Sequence, residues 1–366
     1  MSINDYGWDL HFQREWNERY AAGVSAEPAA EKSACCPPLQ PGRIIADYGQ
    51  ILQVAIEAGE LHVSRPVQKF ENDMQLAVGD WVALEVTPNN GAASLRGVLP
   101  RRTKFSRTAA GIELKEQIVA SNVDTVFLIQ SLNRDFNMKR LERYLIAAWE
   151  SGAIPVVVLT KADCCDNVAD KAAIVNNTAP GVDVHAVSCV TGEGIDEIRK
   201  YLTQGKTVAL LGSSGVGKST LVNTLAGEEL LKTQAVREDD SRGRHTTTHR
   251  ELVLLPGGGL ILDTPGMRSF SLWEADAGME IMFGDVEELV NLCRYNDCKH
   301  QNEPGCAVRE ALSTGNLEMK RWESWRKLQK ELAHLEAKKE GKQRLLDKQW
   351  GKQMAKFQKE YYKGRI

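Results

Sequence analysis

The sequence predicts a multidomain chain in which a small β-barrel precedes an α/β domain, and a helical module rich in cysteine follows. Three observations predict this order. Short alternating strands fill residues 42–107, continuously apolar strands alternate with helices over residues 123–263, and three cysteines with one histidine crowd into residues 293–306. A chain of 366 residues is also longer than one typical hydrophobic core requires.

Residues 1–40 are a polar lead that carries four aromatic side chains at helical spacing before an Ala-, Glu- and Pro-rich stretch. The aromatic residues are Trp8, Phe12, Trp16 and Tyr20. We interpret this segment as a short amphipathic helix and a flexible linker. Its aromatic stripe either docks on a partner or packs on the rest of the chain.

Residues 41–112 contain about five short strands with alternating apolar residues, separated by turn residues. This pattern favours a small closed barrel, and the OB-fold is the commonest barrel of that size used on nucleic acid.

The end of the predicted barrel is basic. Arg101, Arg102, Lys104 and Arg107 surround Phe105, a combination that suits phosphate contact and base stacking. These four cations are candidates for RNA binding, and the alternative is a solvated basic turn at the domain edge.

Residues 113–275 are predicted to form the α/β domain. Strands that are apolar throughout alternate with helices, which indicates a parallel sheet covered on both faces. In such a doubly wound sheet, ligands bind at the carboxyl ends of the strands. The motifs described next fall at such strand ends.

The strand from Thr207 runs straight into Gly212-x-x-x-x-Gly217-Lys218-Ser219, the complete pattern of a phosphate-binding loop. Glycines let backbone N–H groups converge on phosphate oxygens, the lysine reaches the β- and γ-phosphates, and the serine hydroxyl completes a Mg²⁺ shell. The residues predicted to bind nucleotide here are Gly212, Ser213, Ser214, Gly215, Val216, Gly217, Lys218, Ser219 and Thr220.

A base-recognition pattern, Thr160-Lys161-Ala162-Asp163, follows another predicted strand. The carboxylate of Asp163 can accept hydrogen bonds from the N1–H and 2-amino groups of guanine, a donor pair that adenine lacks. Lys161 is expected to lie along the base and brace the phosphate loop. Threonine in place of the usual asparagine removes one amide tether. Ser188-Cys189 resembles the element whose backbone N–H contacts guanine O6.

Two switch segments complete the predicted GTP site. Asp263-Thr-Pro-Gly266 fits D-x-x-G, in which the aspartate holds Mg²⁺ through water and the glycine N–H senses the γ-phosphate. In the first switch, one hydroxyl of the run Thr246, Thr247 and Thr248, with Thr247 preferred, is expected on Mg²⁺.

The second switch lacks a water-orienting side chain, because Met267 stands where a glutamine is usual. His245 of the first switch is therefore the predicted water-positioning residue, with His249 as the second choice. An imidazole can polarise water, but a loop seldom holds it in place unaided. This predicts slow intrinsic turnover that rises when a partner orders the switch.

The order of these elements is permuted. In ordinary GTPases the base-recognition pattern follows the phosphate loop, whereas here it precedes the loop. A ligand responds to positions in space and not to order along the chain, so the chemistry is retained. We therefore predict a circularly permuted GTPase domain whose second switch leads directly into the C-terminal region.

Residues 276–366 begin with a candidate metal site, Cys293-x4-Cys298-x-His300-x5-Cys306. Tetrahedral Zn²⁺ takes three thiolates and one imidazole, and a closed shell of four ligands has no vacancy for a reactive water. We predict one structural Zn²⁺ per chain that supplies much of the folding free energy of this small segment.

The chain ends in basic helices that bear Trp322, Trp325 and Trp350. These helices either lie on RNA, where phosphate neutralisation gives salt-dependent affinity, or pack on the zinc module as a solvated helix.

A permuted GTPase domain with an OB-like barrel before it, the switch sequence Gly-Arg-His-Thr-Thr-Thr at 243–248 and a zinc cluster after it resembles the RsgA family of bacterial ribosome small subunit-dependent GTPases. The resemblance covers roughly residues 42–310. It implies hydrolysis of GTP to GDP that the small ribosomal subunit stimulates, with the barrel and the zinc module on ribosomal RNA. It also implies docking during late subunit maturation and release on hydrolysis.

The remaining expectations concern compartment and assembly. No apolar run reaches the roughly 18 residues of a membrane span, and the N-terminus lacks a secretory signal, so we expect a cytoplasmic protein without a membrane partner. Adjacent cysteines such as Cys35 and Cys36 do not suit a disulfide framework. A monomer is expected for a factor that must fit on a ribosome.

Two other functions stay open at this stage. One is an RNA-binding, GTP-dependent switch whose hydrolysis is incidental and whose partner is not the ribosome. The other is an ATP-dependent enzyme, against which Asp163 argues.

Overall fold

The structure is a computed structural model. It describes residues 2–21, 39–66, 75–87, 93–108, 116–133, 135–230, 250–263 and 275–363, with the backbone alone for Ala21, Asp263 and residues 342–363. The chain divides into two compact units. The first comprises Met1–Ser106 with Ile118–Phe270, and the second comprises Arg107–Gln117 with Ser271–Ile366.

The first unit begins with a short helix and five antiparallel strands. Helix α1 (Leu10–Trp16) is capped by the carboxylate of Asp9 and continues as a π-helical turn over Asn17–Ala21. The strands are β1 (Leu39–Asp47), β2 (Ile51–Ile56), β3 (Gly59–Ser64), β4 (Trp81–Val86) and β5 (Ala93–Val98). They pair in the order β3-β2-β1-β4-β5, and β3 also lies beside β5.

The aromatic stripe of the N-terminal segment packs on these strands. The ring of Trp8 lies 4.8 Å from that of Trp81, and Phe12 lies 5.6 Å from the same indole with only 2% of its surface exposed. Burial of large aromatic side chains is strongly favourable, so it ties α1 to β4. Of the two alternatives for the stripe, the structure supports packing on its own chain.

A mixed sheet carries the α/β part of the first unit. Five parallel strands run in the order β10-β9-β8-β11-β13, and β12 adds antiparallel to β13. Their bounds are β8 (Thr125–Ser131), β9 (Ile154–Thr160), β10 (Asp183–Val187), β11 (Thr207–Leu211), β12 (Arg250–Leu254) and β13 (Leu260–Asp263). The predicted parallel sheet is confirmed for five strands, whereas the predicted strand at residues 251–255 is the antiparallel β12. The parallel strands are apolar because helices cover both faces of the sheet.

Four helices and a 3-10 turn connect these strands. The helices are α2 (Met138–Ser151), α3 (Val168–Thr178), α4 (Ile195–Arg199) and α5 (Lys218–Ala226), and the turn is Ala162–Cys164. The core between the sheet and α4 and α5 contains Phe127, Val158, Leu210 and Leu221, all at most 2% exposed.

The two strand sets of the first unit are continuous. β1 pairs antiparallel with β12 through Ala46 opposite Glu251 and Asp47 opposite Arg250. The strand that follows the predicted first switch is therefore hydrogen-bonded to the first strand of the antiparallel set.

A buried arginine joins three segments of the first unit. The Arg43 guanidinium donates hydrogen bonds to the carbonyls of Gly79 at 3.3 Å, Asn122 at 2.8 Å and Tyr6. Burial lowers its pKa to about 10, and the side chain is only 2% exposed. The carbonyls satisfy donors that would otherwise be costly to bury.

The described part of the second unit contains three helices: α6 (Asp276–Asn291), α7 (Ala307–Thr314) and α8 (Met319–Lys363). Arg321 of α8 donates to the Asp285 carboxylate at 2.7 and 2.8 Å and to the Met282 carbonyl at 2.8 Å, which holds α8 on α6.

A separate two-stranded sheet consists of β6 (Lys104–Thr108) and β7 (Glu116–Ser121). No described helix is long and apolar enough to cross a membrane.

Candidate functional site

The phosphate-binding loop lies between β11 and α5, as the sequence predicts. Gly215 and Gly217 have φ of +77° and +96°, a left-handed conformation that favours glycine. A Cβ atom at Gly212 would lie 2.7 Å from the Ile129 carbonyl, so the chain passes too close to β8 for a side chain. Lys218 donates from Nζ to the carbonyls of Gly212 at 2.8 Å and Ser213 at 2.6 Å.

The base-recognition element lies at the carboxyl end of β9 and contacts this loop directly. Lys161 Nζ donates to the Gly215 carbonyl at 2.9 Å, which is the bracing contact expected of this lysine. The hydroxyl of Thr160 donates to the Val216 carbonyl at 2.5 Å. Threonine in place of asparagine was expected to remove one tether between these two elements. The Thr160 hydroxyl instead links them.

Asp163 is exposed at the start of the turn after β9, and two side chains of its own chain hold it. Ser188 Oγ donates to one carboxylate oxygen at 2.6 Å, and the Cys164 thiol donates to the other at 3.2 Å. These hydrogen bonds, that of Ser188 first, lower the pKa of Asp163. The carboxylate is therefore ionised at neutral pH, the state in which both of its oxygens are hydrogen-bond acceptors.

Ser188 is fully buried after β10, and its hydroxyl also accepts hydrogen bonds from the backbone N–H groups of Val190 and Thr191, both at 3.2 Å. The serine therefore shapes the loop after Ser188-Cys189 as well as orienting Asp163. Burial raises the pKa of the neighbouring Cys189 thiol, which stays protonated at neutral pH.

One arrangement at the phosphate loop was missed by sequence reasoning. Arg140 Nη1 donates to both oxygens of Asp135, at 2.9 and 2.8 Å, and to Ser213 Oγ at 2.6 Å, while Ser213 Oγ donates back to Asp135. The three side chains close a ring between the start of α2 and the loop. No sequence motif signals it, because an Asp and an Arg five residues apart are common on any surface.

The switch residues fall largely outside the described part of the chain. His245, Thr246, Thr247, Thr248, His249 and Gly266 belong to residues 231–249 and 264–274, which the structure does not describe. Asp263 is described by its backbone, as the last residue of β13 beside β11. The carboxyl ends of these two parallel strands meet at the same sheet edge, where D-x-x-G is expected.

In the second unit, Cys293, Cys298, His300 and Cys306 are brought together, with all four candidate ligand atoms within 4.8 Å of one another. His300 Nδ1 lies 3.5 Å from the sulfurs of Cys293 and Cys306, and these sulfurs are 3.9 Å apart. This cluster could hold a metal ion.

Two further contacts shape the cluster. Glu303 accepts backbone hydrogen bonds at 2.8 to 3.0 Å from Lys299, Gln301 and Asn302, and bonds of this kind lower its pKa to about 2. His300 packs edge-on against Trp322, whose ring stacks on Trp325 at 5.1 Å. Trp322 is 5% exposed, so for this residue the structure supports packing on the cysteine module.

The four basic candidates for RNA binding differ in their surroundings. Arg101 is ion-paired with the fully buried Asp80 at 2.6 Å, and Arg102 is paired with Asp9 and lies over the Phe12 ring. Lys104 and Arg107 lie on β6, where Arg107 donates to Gln117 at 3.1 Å. Phe105 between them is fully buried, so the interpretation that its ring stacks on a base is wrong.

The fold and this site define a class. A parallel sheet with a phosphate loop, a Lys-x-Asp element placed before that loop in the chain, and strand order β10-β9-β8-β11-β13 describe a circularly permuted GTPase. The sequence pattern of the family described as RsgA GTPase matches residues 98–273. That of ABC transporters matches residues 195–359, a range that includes the phosphate loop common to both classes.

Comparison with known proteins supports the first match. The chain is 44% identical over 298 residues to the small ribosomal subunit biogenesis GTPase RsgA 2 of Lactiplantibacillus plantarum, covering 80% of this chain and 83% of the relative. It is 48% identical over 347 residues to RsgA of Opitutus terrae, covering 91% of this chain and 90% of the relative. The chain therefore belongs to the RsgA family of small ribosomal subunit biogenesis GTPases, and it is a GTP hydrolase.

Solved structures agree on the fold. YjeQ from Thermotoga maritima superimposes with a TM-score of 0.60 at 24% identity, covering 81% of this chain and 99% of its own. YloQ, described as a circularly permuted GTPase, has a TM-score of 0.54 at 22% identity, covering 84% of this chain and 98% of its own.

Proposed function

We propose that this chain hydrolyses GTP during late maturation of the small ribosomal subunit, with the subunit as its activator and ribosomal RNA as its binding surface. The observation that carries the nucleotide part is Asp163, held by Ser188 at 2.6 Å next to a phosphate loop that Lys161 and Thr160 brace. The names of the relatives support the ribosomal part.

The chain's own residues bind and orient the nucleotide. Asp163 accepts the two guanine donors, the backbone N–H groups of the phosphate loop hold the phosphates, and Lys218 neutralises charge that develops in the transition state. In this structure the Lys218 ammonium donates hydrogen bonds to two carbonyls of its own loop. We propose that it exchanges these carbonyls for phosphate oxygens when nucleotide binds. Ser219, Thr247 and Asp263 would hold Mg²⁺, which supplies charge neutralisation between the β- and γ-phosphates when bound.

His245 is the residue that we propose positions the attacking water, with His249 second. The reason is the one drawn from sequence: Met267 has no hydrogen-bond donor and only a weakly accepting sulfur, so it cannot orient water. Turnover in the absence of a partner is accordingly slow.

The five antiparallel strands are proposed to form an OB-type barrel within a module of residues 41–112. Two observations support closure: β1 pairs with both β2 and β4, and the end strands β3 and β5 lie side by side. Arg101, Arg102, Lys104 and Arg107 stay candidates for RNA contact.

The cysteine cluster is proposed to hold one structural Zn²⁺. Bonds of about 2.3 Å to sulfur and 2.0 Å to nitrogen in a tetrahedron place two sulfurs about 3.8 Å apart and sulfur about 3.5 Å from nitrogen. The separations of 3.9 Å and 3.5 Å fit this shell.

We further propose that the chain divides into four regions, residues 1–40, 41–112, 113–275 and 276–366, and that it acts as a monomer in the cytoplasm.

The test is turnover of GTP and ATP by the full chain, alone and with purified small ribosomal subunits, for the wild type and His245→Ala. Slow GTP hydrolysis that subunits stimulate, with loss of stimulation in the variant, is the expected result. Unchanged turnover with subunits would leave a GTP-dependent switch with a different partner. Equal use of ATP would contradict the role of Asp163.

A further inference from the structure

We propose that Arg140 and Asp135 are positioning residues for GTP hydrolysis, which act through Ser213 on the catalytic lysine Lys218. This inference deepens the GTPase assignment above and rests on it. The three side chains Arg140, Asp135 and Ser213 are called the Arg140 ring below.

The first step of the argument is the hydrogen-bond geometry of the ring. Ser213 Oγ has one hydrogen and donates it to Asp135, so its lone pairs are available to accept the Arg140 Nη1–H at 2.6 Å. Arg140 also holds both Asp135 oxygens within 2.9 Å. Each of these hydrogen bonds involves a charged partner, which makes it stronger than a neutral one.

The second step is that Ser213 is also a contact of the catalytic lysine. Its hydroxyl is held by the Arg140 ring, while its carbonyl accepts from Lys218 Nζ at 2.6 Å. The orientation of the Ser213 peptide sets where that carbonyl points, and hence where the ammonium rests before it engages phosphate. A rotation of the loop at Ser213 would move the Lys218 ammonium away from its position for phosphate contact. A displacement of about 1 Å can greatly lower the rate of catalysis.

The third step is that hydrogen bonds at the start of α2 hold the backbone of Arg140 in place. Asn137 caps α2 by accepting from the Arg140 backbone N–H at 3.1 Å. Gln130, 1% exposed at the end of β8, holds Asn137 by two backbone contacts, at 2.8 and 2.9 Å. A rigid strand thus positions the first turn of α2, which positions the guanidinium.

The ring is also accessible enough to be tested without disrupting the core. The side chains of Arg140 and Asp135 are 29% and 36% exposed. Truncating them leaves no buried unpaired charge, so a large loss of stability is not expected. A purely structural role would appear in unfolding and not in turnover.

The experiment is a double-mutant cycle on the full chain with Arg140→Ala, Ser213→Ala and the double variant. We expect each single variant to lower kcat for GTP about tenfold with an unchanged melting temperature, and the double variant to lose no more than the worse single variant within about twofold. Lys139→Ala, an exposed cation on the same helix, is the matched control and is expected to behave as wild type.

Two results would overturn the proposal. If Arg140→Ala retains wild-type kcat and KM, the ring has no part in catalysis. If the two losses multiply to about a hundredfold, Arg140 and Ser213 act separately and not through one another. Failure of the wild type to hydrolyse GTP would instead contradict the GTPase assignment, so the two claims are separable.

Discussion

The hydroxyl of Thr160 donates a hydrogen bond to the carbonyl of Val216 at 2.5 Å, and so links the base-recognition element to the phosphate loop. The same hydroxyl lies 3.3 Å from the Gln130 carbonyl of β8, with which its single hydrogen can at most be shared. The side chain is 2% exposed, so water cannot replace it. One buried hydroxyl therefore joins the ends of two strands to the loop that holds the phosphates.

Replacing Thr160 by valine is expected to weaken binding of GTP and GDP alike. The change keeps the shape but removes the buried hydroxyl hydrogen bond to Val216, at a cost of about 1 kcal/mol, or about five- to tenfold in Kd. Titration with a fluorescent guanine nucleotide measures it. Thr178→Val removes a similar hydroxyl bond at an exposed site of α3 and serves as the control. Equal affinity in Thr160→Val and wild type would contradict the tether.

The pH dependence of guanine binding follows from Asp163. Because its pKa is lowered, the carboxylate stays charged over the whole range above that value, and binding is lost only as pH falls through it. Affinity is therefore expected to be flat between about pH 8 and pH 5.

Removing the hydrogen bonds that lower this pKa should move the acid limit upward. Ser188→Ala lets the Asp163 pKa rise toward its ordinary value, so binding is expected to fail at higher pH than in wild type. Cys164→Ala removes the smaller of the two effects and leaves the loop after Ser188 intact, so a smaller shift in the same direction is expected. Nucleotide titrations at each pH, with circular dichroism to confirm folding, would show no shift in either variant if this assignment is wrong.

Arg101→Ala is expected to destabilise the chain by about 3 kcal/mol, because it leaves the carboxylate of Asp80 buried without its cation. Urea unfolding measures this loss. Arg96→Ala breaks the exposed pair with Glu85 and is expected to cost less than about 1 kcal/mol. If the two variants were equally stable, the Asp80 pair would be only a surface contact.

Removal of metal from the cysteine cluster is expected to unfold the loop between α6 and α7. Cys306→Ser, or treatment with a chelator, should abolish bound zinc and change tryptophan fluorescence, since His300 packs against Trp322 at 5.2 Å. Metal analysis and emission spectra test this directly. Cys165→Ser lies outside the cluster and is expected to keep the metal. A zinc content that survives Cys306→Ser would remove this cysteine from the ligand set.

The nucleotide elements were predictable because each is local. The phosphate loop needs glycines at fixed spacing after a strand, and a Lys-x-Asp element needs only a strand end. Both can therefore be recognised from neighbouring residues alone. The permuted order can be recognised in the same way, because it is the order of these patterns along the chain. The cysteine cluster likewise lies within 14 residues, from 293 to 306, a span that a single turn can fold together.

The environment of each side chain was less predictable. Phe105 and its basic neighbours look alike in sequence to a nucleic-acid contact, yet Phe105 is buried and Arg101 serves a buried carboxylate. The role of Arg101 depends on a partner 21 residues away in the chain, Asp80. Pattern alone cannot distinguish a cation that faces solvent from one that faces a distant acid.

By itself, the sequence determined the class of this protein: a phosphate loop, a Lys-x-Asp element, a permuted order and a cluster of cysteines and histidine that could hold a metal ion. Only the tertiary structure decided how these parts are held, through Thr160 on Val216, the Arg140 ring on Ser213 and the pairing of β1 with β12. The physical reason is the separation along the chain of the residues that interact. Backbone turns and strand periodicity are encoded by neighbours in the chain, whereas hydrogen bonds between strand ends form only after the sheet has brought distant residues to one edge.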